Sequence, residues 1–301
     1  MSRQYVFTTY GGPEGEELIE RQVPEPGPGQ VLLQVRAAGV NPVDWKIREG
    51  LLGTHEPVPV PMGREVAGVV TSVGTGVQDF SVGDEVLGPV AHGEGGFADH
   101  VLLEAAQSVE KPEDISFATA ALIPVAGTTA YDLTHQIELG TGQTMLILGA
   151  GGGVGHLAAQ IGAVHQFRVI GVASEAKREL VESTGASFVP TGPGALDGVR
   201  ELAPQGADLL VDLVGGQVLV DLAPAAKSGE VIISAADDQT AAELGGSGRQ
   251  AAPESLGKMT DVIGFEVITP LISRIFPLDQ AREALALVES GHATGKVIIE
   301  P

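Results

Sequence analysis

Apolar residues follow two different rhythms along this chain, and the change between them falls near residue 115. Before it come short apolar runs closed off by Gly, Pro and Asp. VLLQVRAAGV (31–40), REVAGVVTSVG (64–74), GDEVLG (83–88) and GFADHVLL (96–103) each read as a strand between turns. That predicts a compact, mostly β domain. After KPEDIS the texture shifts. FATAALIPVAGTTAYDLTHQI (117–137) has helical length and spacing, interrupted near Pro124 and Gly127.

From residue 144 strands and helices alternate. TMLILGA leads into VGHLAAQIGAVHQ, FRVIGVAS into EAKRELVESTGA, and GADLLVDLVGG and GEVIISAA follow. The strand-like runs are apolar throughout, as parallel strands covered by helices on both faces must be. The fold class expected is α/β, with a doubly wound parallel sheet following the β domain. The stretch DDQTAAELGGSGRQAA (237–252) is polar and small and contains no strong strand. LISRIFPL, the amphipathic DQAREALALVESG and the strand KVIIE close the chain.

Composition narrows the function. The 301 residues suffice for two domains and a real core. With 39 acidic against 17 basic residues the net charge is −22, which repels phosphate backbones and anionic lipid. No nucleic-acid partner is expected. No stretch approaches the ~18 apolar residues of a membrane span, and MSRQYVFTTYGG lacks the features of a signal peptide. The expectation is a cytoplasmic protein without a membrane partner. The chain has no cysteine, hence no disulfide, thiolate zinc site or cysteine nucleophile. It also lacks H-E-x-x-H spacing and a Ser-His-Asp order, so hydrolysis has no foothold. His92, in PVAHGEGGF, is a loop histidine whose plain reading is solvent exposure.

The glycine run in MLILGAGGGVG (145–155) stands between a buried strand and a helix opening at about Val154, the context a dinucleotide loop needs. Ala150 takes the first glycine position of G-x-G-x-x-G, and Gly152 and Gly155 take the others. Backbone at Ala150, Gly151, Gly152, Gly153 and Val154 can then approach a pyrophosphate, with the helix N-terminus facing it. NAD sites usually carry an acid at the end of the second strand, about 20 residues on. Here that strand ends at Ala173-Ser174, followed by Lys177 and Arg178, which suit a 2′-phosphate and favour NADPH over NADH. Glu175 argues the other way unless it opens the next helix, with Ser174 as its cap.

AAGVNPVDWKIREG (37–50), PMGREVAGVV (61–70), GDEVLG, GTTAY (127–131), GAGGGVG, DLVGG and GKVIIEP, in this order, resemble the zinc-free quinone oxidoreductase, or zeta-crystallin-like, branch of the medium-chain dehydrogenase/reductase family. The resemblance implies a GroES-like catalytic domain (1–118), an inserted Rossmann NADP-binding domain (119–262) and a segment completing the first domain (263–301). It also implies a metal-free site, because Asn41 and Arg64 stand where zinc relatives place ligands and the third ligand position falls near Val125. The implied activity is hydride transfer from NADPH to a quinone or related conjugated carbonyl, with Asn41, Lys46 and Arg64 as donors near the acceptor oxygen and Asp44 ordering the pocket. Lys46 aligns where some relatives carry a tyrosine beside the cofactor, and Thr129, Ser234 and Ala235 align near the nicotinamide.

Each has a plainer reading. Asn41-Pro42 suits a turn, Asp44 and Arg64 a salt bridge, Thr129 a helix cap, and Ser234 and Ala235 a strand end. Two positions depart from the family pattern: Leu52 replaces a tyrosine of the active-site loop, and Gly192 replaces a ring near the adenosine phosphate. An enone or enoyl reductase of the 2-alkenal type is the neighbouring reading. An NADPH-binding redox sensor or structural protein without turnover is the reading from another class. Relatives pair as homodimers through the region of 237–252, and the weak strand content there supports that only in part.

Overall fold

Strands β1 (Ser2–Phe7) and β2 (Glu16–Arg21) pair antiparallel and are followed by β3 (Gln30–Val40), the longest strand of the chain. Along β3, Val31, Leu33 and Val35 enter the core while Gln34 and Arg36 face solvent, the period-two pattern of a half-buried strand. A short helix α1 (Pro42–Arg48) follows at once. β4 (Val60–Pro61) then pairs with β1, and β5 (Glu65–Val73), β6 (Glu85–Pro89), β7 (His100–Glu104) and β8 (Val109–Glu110) build an antiparallel sheet around β3. The structure, a computed structural model, describes every residue from Met1 to Pro301.

The helix expected over 117–137 is interrupted where anticipated. α2 (Phe117–Ala120) is followed by a π-turn at Ile123–Gly127 and then α3 (Thr128–His135). The second unit continues as β9 (Thr144–Leu148), α4 (Gly153–Val164), β10 (Arg168–Ala173), α5 (Arg178–Ser183) and β11 (Ser187–Pro190). Next come α6 (Ala195–Leu202), β12 (Leu209–Asp212), α7 (Gly216–Leu222), β13 (Ile232–Ser234), α8 (Asp238–Glu243) and β14 (Ser247–Gly248). The strands are all parallel, in the order β11-β10-β9-β12-β13-β14. This is the doubly wound dinucleotide-binding order, with its switch point between β9 and β12.

The region 237–252 holds α8, capped by the Asp237 carboxylate on Thr240 N–H at 3.0 Å, and the two-residue β14. The backbone of this edge is met by the chain itself. Gln136 Nε2 donates to Gly248 O at 3.1 Å, and its Oε1 accepts from Gln250 N–H at 2.8 Å.

The chain closes with α9 (Ser255–Gly264), β15 (Ile272–Pro277), α10 (Ala281–Glu289) and β16 (Lys296–Glu300). β16 pairs with β3 in the register Val297↔Val40, which sets Lys296 beside the end of β3. One compact unit is therefore Met1–Val125 with Leu256–Gly264 and Ile272–Pro301, and the other is Ala126–Ser255 with Phe265–Leu271. Each has its own apolar core, around Leu33, Val66, Phe97 and Ile299 in the first and Leu146, Ile170, Leu210 and Leu219 in the second. No helix is long and apolar enough to cross a membrane.

Candidate active site

In the first unit, Asn41 does not make the turn that Asn-Pro suggests. It is the N-cap of α1, with Pro42 opening the helix and Asp44 returning its Oδ2 to the Asn41 N–H at 2.8 Å, a closed capping box. The Asn41 side chain points inward. Its Nδ2 donates to Glu65 Oε1 at 2.7 Å and lies 3.4 Å from Gly39 O, while its Oδ1 accepts from Lys296 Nζ at 2.6 Å. Lys296 Nζ also donates to Glu65 Oε1 at 2.9 Å and to Val40 O at 3.0 Å. Glu65 uses its other oxygen to accept from Val125 N–H at 2.7 Å.

Asn41, Glu65 and Lys296 are all buried. The three make a closed network with every heteroatom engaged, which revises the part expected of Asn41. Its amide is engaged inside the unit, so it orients neighbours instead of presenting a free donor.

Asp44 is also buried, and its Oδ1 has no hydrogen-bond partner. Burial pushes its carboxyl up to about 7, against the pull of the Asn41 N–H, Arg64 and Lys296. Arg64 stays partly exposed, and its ion partner is Glu56 at a loose 3.8 Å, so the structure does not pair it with Asp44 directly. Lys46 lies on α1, half-buried. His92 is exposed, as its loop position suggests. No group of three or more His, Cys, Asp or Glu converges anywhere in the chain.

In the second unit the glycine loop joins β9 to α4 at the switch point. The left-handed turn falls on Gly149, at φ +86°, one residue before the motif position taken by Ala150. Ala150 is fully buried, and a Cβ on Gly171 of β10 would come within 2.8 Å of its methyl. Its side chain therefore packs the sheet, so only its backbone is available to the loop. Gly155 is the tight approach: a Cβ there would lie 2.3 Å from Gly149 O. α4 starts at Gly153 with Gly152 as N-cap and no side chain capping it, leaving the end of a 12-residue helix to an anion.

The residues after β10 are unequal. The stem of Lys177 lies across the loop, with its Cδ 2.6 Å from where a Gly151 Cβ would stand. Burial lowers the Lys177 ammonium from its ordinary value. Arg178 is already held by Glu175 at 2.6 Å and Glu182 at 3.2 Å, over the ring of Phe188. Glu175 thus directs its charge at Arg178, within a 3₁₀ turn (Glu175–Lys177) that precedes α5. Ser174 is exposed and makes no capping bond, so its hydroxyl is not the cap its position suggested.

Ser234 is buried and serves the scaffold. Its Oγ donates to Asp212 Oδ2 at 2.6 Å and accepts from Ala236 N–H and Asp237 N–H at 3.1 and 2.9 Å. Asp212 Oδ1 accepts in turn from Val214 and Gly215 N–H, so one buried carboxylate pins the loops after β12 and β13. Ala235 is left exposed at that edge. Thr129 is buried in α3, which continues out of the π-turn with Gly127 at its N-cap position.

The sequence reading missed Glu65, Lys296, Gly149 and Asp212. Glu65 and Lys296 were visible only as parts of GRE and GKV, with no local sign that they meet. A further missed group is His156, buried on α4, whose Nε2 accepts from Leu271 N–H at 3.0 Å and holds the segment 265–271 to the helix that opens at the glycine loop.

The geometry agrees with what known proteins show. The family model of the alcohol dehydrogenase GroES-like domain matches residues 27–113, and that of the zinc-binding dehydrogenase matches 179–299. The chloroplast envelope quinone oxidoreductase homolog of Arabidopsis thaliana is 32% identical, over 98% of this chain and 97% of that protein. The chloroplastic NADPH-dependent alkenal/one oxidoreductase of Arabidopsis thaliana is also 32% identical, over 99% of this chain and 79% of that protein. The quinone oxidoreductase from Coxiella burnetii superposes with a TM-score of 0.90 at 28% identity, covering 100% of this chain and 99% of that one.

Proposed function

The chain belongs to the quinone oxidoreductase branch of the medium-chain dehydrogenase/reductase family, and from that premise we propose that it is an NADPH-dependent reductase of quinones or related conjugated carbonyls. The observation that carries this reading is the glycine loop at the β9/β12 switch point, with Lys177 laid across Gly151. The residues present fit a dinucleotide phosphate. They supply an open helix end, backbone without side chains at Gly151 and Gly152, and a lysine, Lys177, whose stem runs along the loop at Gly151. Bound there, NADPH supplies the hydride. The names of the Arabidopsis relatives support both a quinone and an alkenal or enone as acceptor.

We further propose that the reaction is zinc-independent. By the family resemblance Asn41 and Arg64 stand where zinc relatives place ligands, with the third position near Val125, and an ammonium, Lys296 Nζ, is lodged against Asn41 and Glu65. Acceptors that are already electrophilic need no Lewis acid, only donors that steady the developing oxyanion, and Arg64 and Lys46 are the donors assigned to it.

Steady-state NADPH oxidation with a quinone and with an open-chain enone tests the reading, with NADH alongside. Lys177→Ala is expected to raise KM for NADPH by about tenfold, the loss of one charge-assisted contact, with kcat and the NADH parameters nearly unchanged. A preference for NADH, or an equal effect on both cofactors, would remove Lys177 from the 2′-phosphate.

A further inference from the structure

We propose that Asp44 is the proton store of the reaction, a buried carboxyl holding the proton that completes reduction once hydride transfer has left negative charge on the acceptor oxygen. The proposal rests on the reductase reading above. It starts from a group the fold does not need in this form. Asp44 closes the α1 capping box through one oxygen, Oδ2 on the Asn41 N–H at 2.8 Å, while Oδ1 is buried without a partner. An asparagine would accept the same N–H and carry no charge. A buried carboxylate with one bare oxygen is a liability that its capping duty does not explain.

Its surroundings keep it from being permanently charged. Arg64 and Lys296 favour the carboxylate and Glu65 opposes it, and burial outweighs them all. The Lys296 ammonium is committed to Glu65, Asn41 and Val40 O, and Arg64 sits nearer Glu56, so neither forms an ion pair with Asp44. The carboxyl therefore gains and loses a proton in the neutral range, where a proton donor exchanges best. Asn41 is no acid, and the Arg64 guanidinium does not release its proton.

The step balances. Hydride adds to the acceptor carbon, and the conjugated electron pair moves onto the carbonyl oxygen. The Asp44 O–H bond breaks, its electron pair stays on the carboxylate, a proton joins the acceptor oxygen through solvent, and a solvent proton restores the acid. Because Asp44 is only 2% exposed, it acts at one remove, as a proton-storing and positioning residue.

The test is Asp44→Asn, with the single tryptophan, Trp45, as a neighbouring reporter. In the wild type, kcat with an open-chain enone is expected to fall as pH rises through about 7, and Trp45 fluorescence to shift over the same range without cofactor. Asp44→Asn should lose about a hundredfold in kcat at pH 6, give a flat pH profile and abolish the fluorescence transition. Stability gives an independent check. The folded state holds this proton between the ordinary 3.8 and about 7, so wild-type stability drops as pH rises across that window, and the variant should lack this drop. An Asp44→Asn enzyme with wild-type kcat and pH profile would overturn the proposal. So would wild-type Trp45 fluorescence that is flat through neutral pH, a result that does not require the variant to fold. Absence of NADPH oxidation by the wild type would instead overturn the reductase reading, and the role of Asp44 with it.

Discussion

Lys296→Met is expected to cost about 3–5 kcal/mol of unfolding free energy, because it strands the Glu65 carboxylate in the interior. Lys296 and Glu65 are 4% and 0% exposed, and the ammonium is the only cation bonded to Glu65. Removing one partner leaves a buried charge with only the amides of Asn41 and Val125 to steady it. The double variant Glu65→Gln/Lys296→Met separates charge from packing. It removes both charges at once and should recover much of the loss, since replacing a whole buried pair is often near neutral. Urea unfolding of the three proteins measures this. A double variant no better than Lys296→Met would mean that packing of the lysine stem, not charge, holds the end of β3.

Gly155→Ala should have the largest effect on cofactor binding. The added methyl would lie 2.3 Å from Gly149 O and 2.7 Å from the Ala150 Cα, both backbone atoms of the loop that faces the phosphates. Neither can turn aside as a flexible side chain would. The overpacking cost of about 1–3 kcal/mol appears as NADPH affinity weaker by about ten- to a hundredfold. Gly257→Ala, which meets open space within α9, is the control and should leave affinity unchanged. Titration of both variants with NADPH by calorimetry checks the contrast. Wild-type affinity in Gly155→Ala would mean that the loop yields elsewhere and does not set the approach of α4 to β9.

What was legible in the sequence had local causes. The parallel strands showed as unbroken apolar runs and the dinucleotide loop as glycines between strand and helix, whereas α8 lies in a stretch read only as polar, small and without a strong strand. α1 was legible too but was read as a turn. Asn41, Pro42 and Asp44 form the N-cap, first-turn proline and third-position acid of a capping box, and the Asn-Pro pair drew attention from it. The turn glycine was displaced by one position because Ala150 mimics the motif while Gly149 takes the positive φ. The Asn41–Glu65–Lys296 network could not be read locally. Lys296 is separated from Glu65 by 231 residues and reaches it only because β16 pairs with β3. Nor could the sequence divide labour among Ser174, Lys177 and Arg178, since that depends on which carboxylates each one meets.

The central claim is that this chain moves a hydride from NADPH to a conjugated carbonyl. The most direct measurement uses NADPH deuterated at C4 of the nicotinamide, each epimer in turn, with an open-chain enone, and locates the label in the product. The account predicts deuterium on the carbon β to the carbonyl, delivered from one epimer only. NADPH that binds but is not consumed, or product formed without label from either epimer, would contradict it.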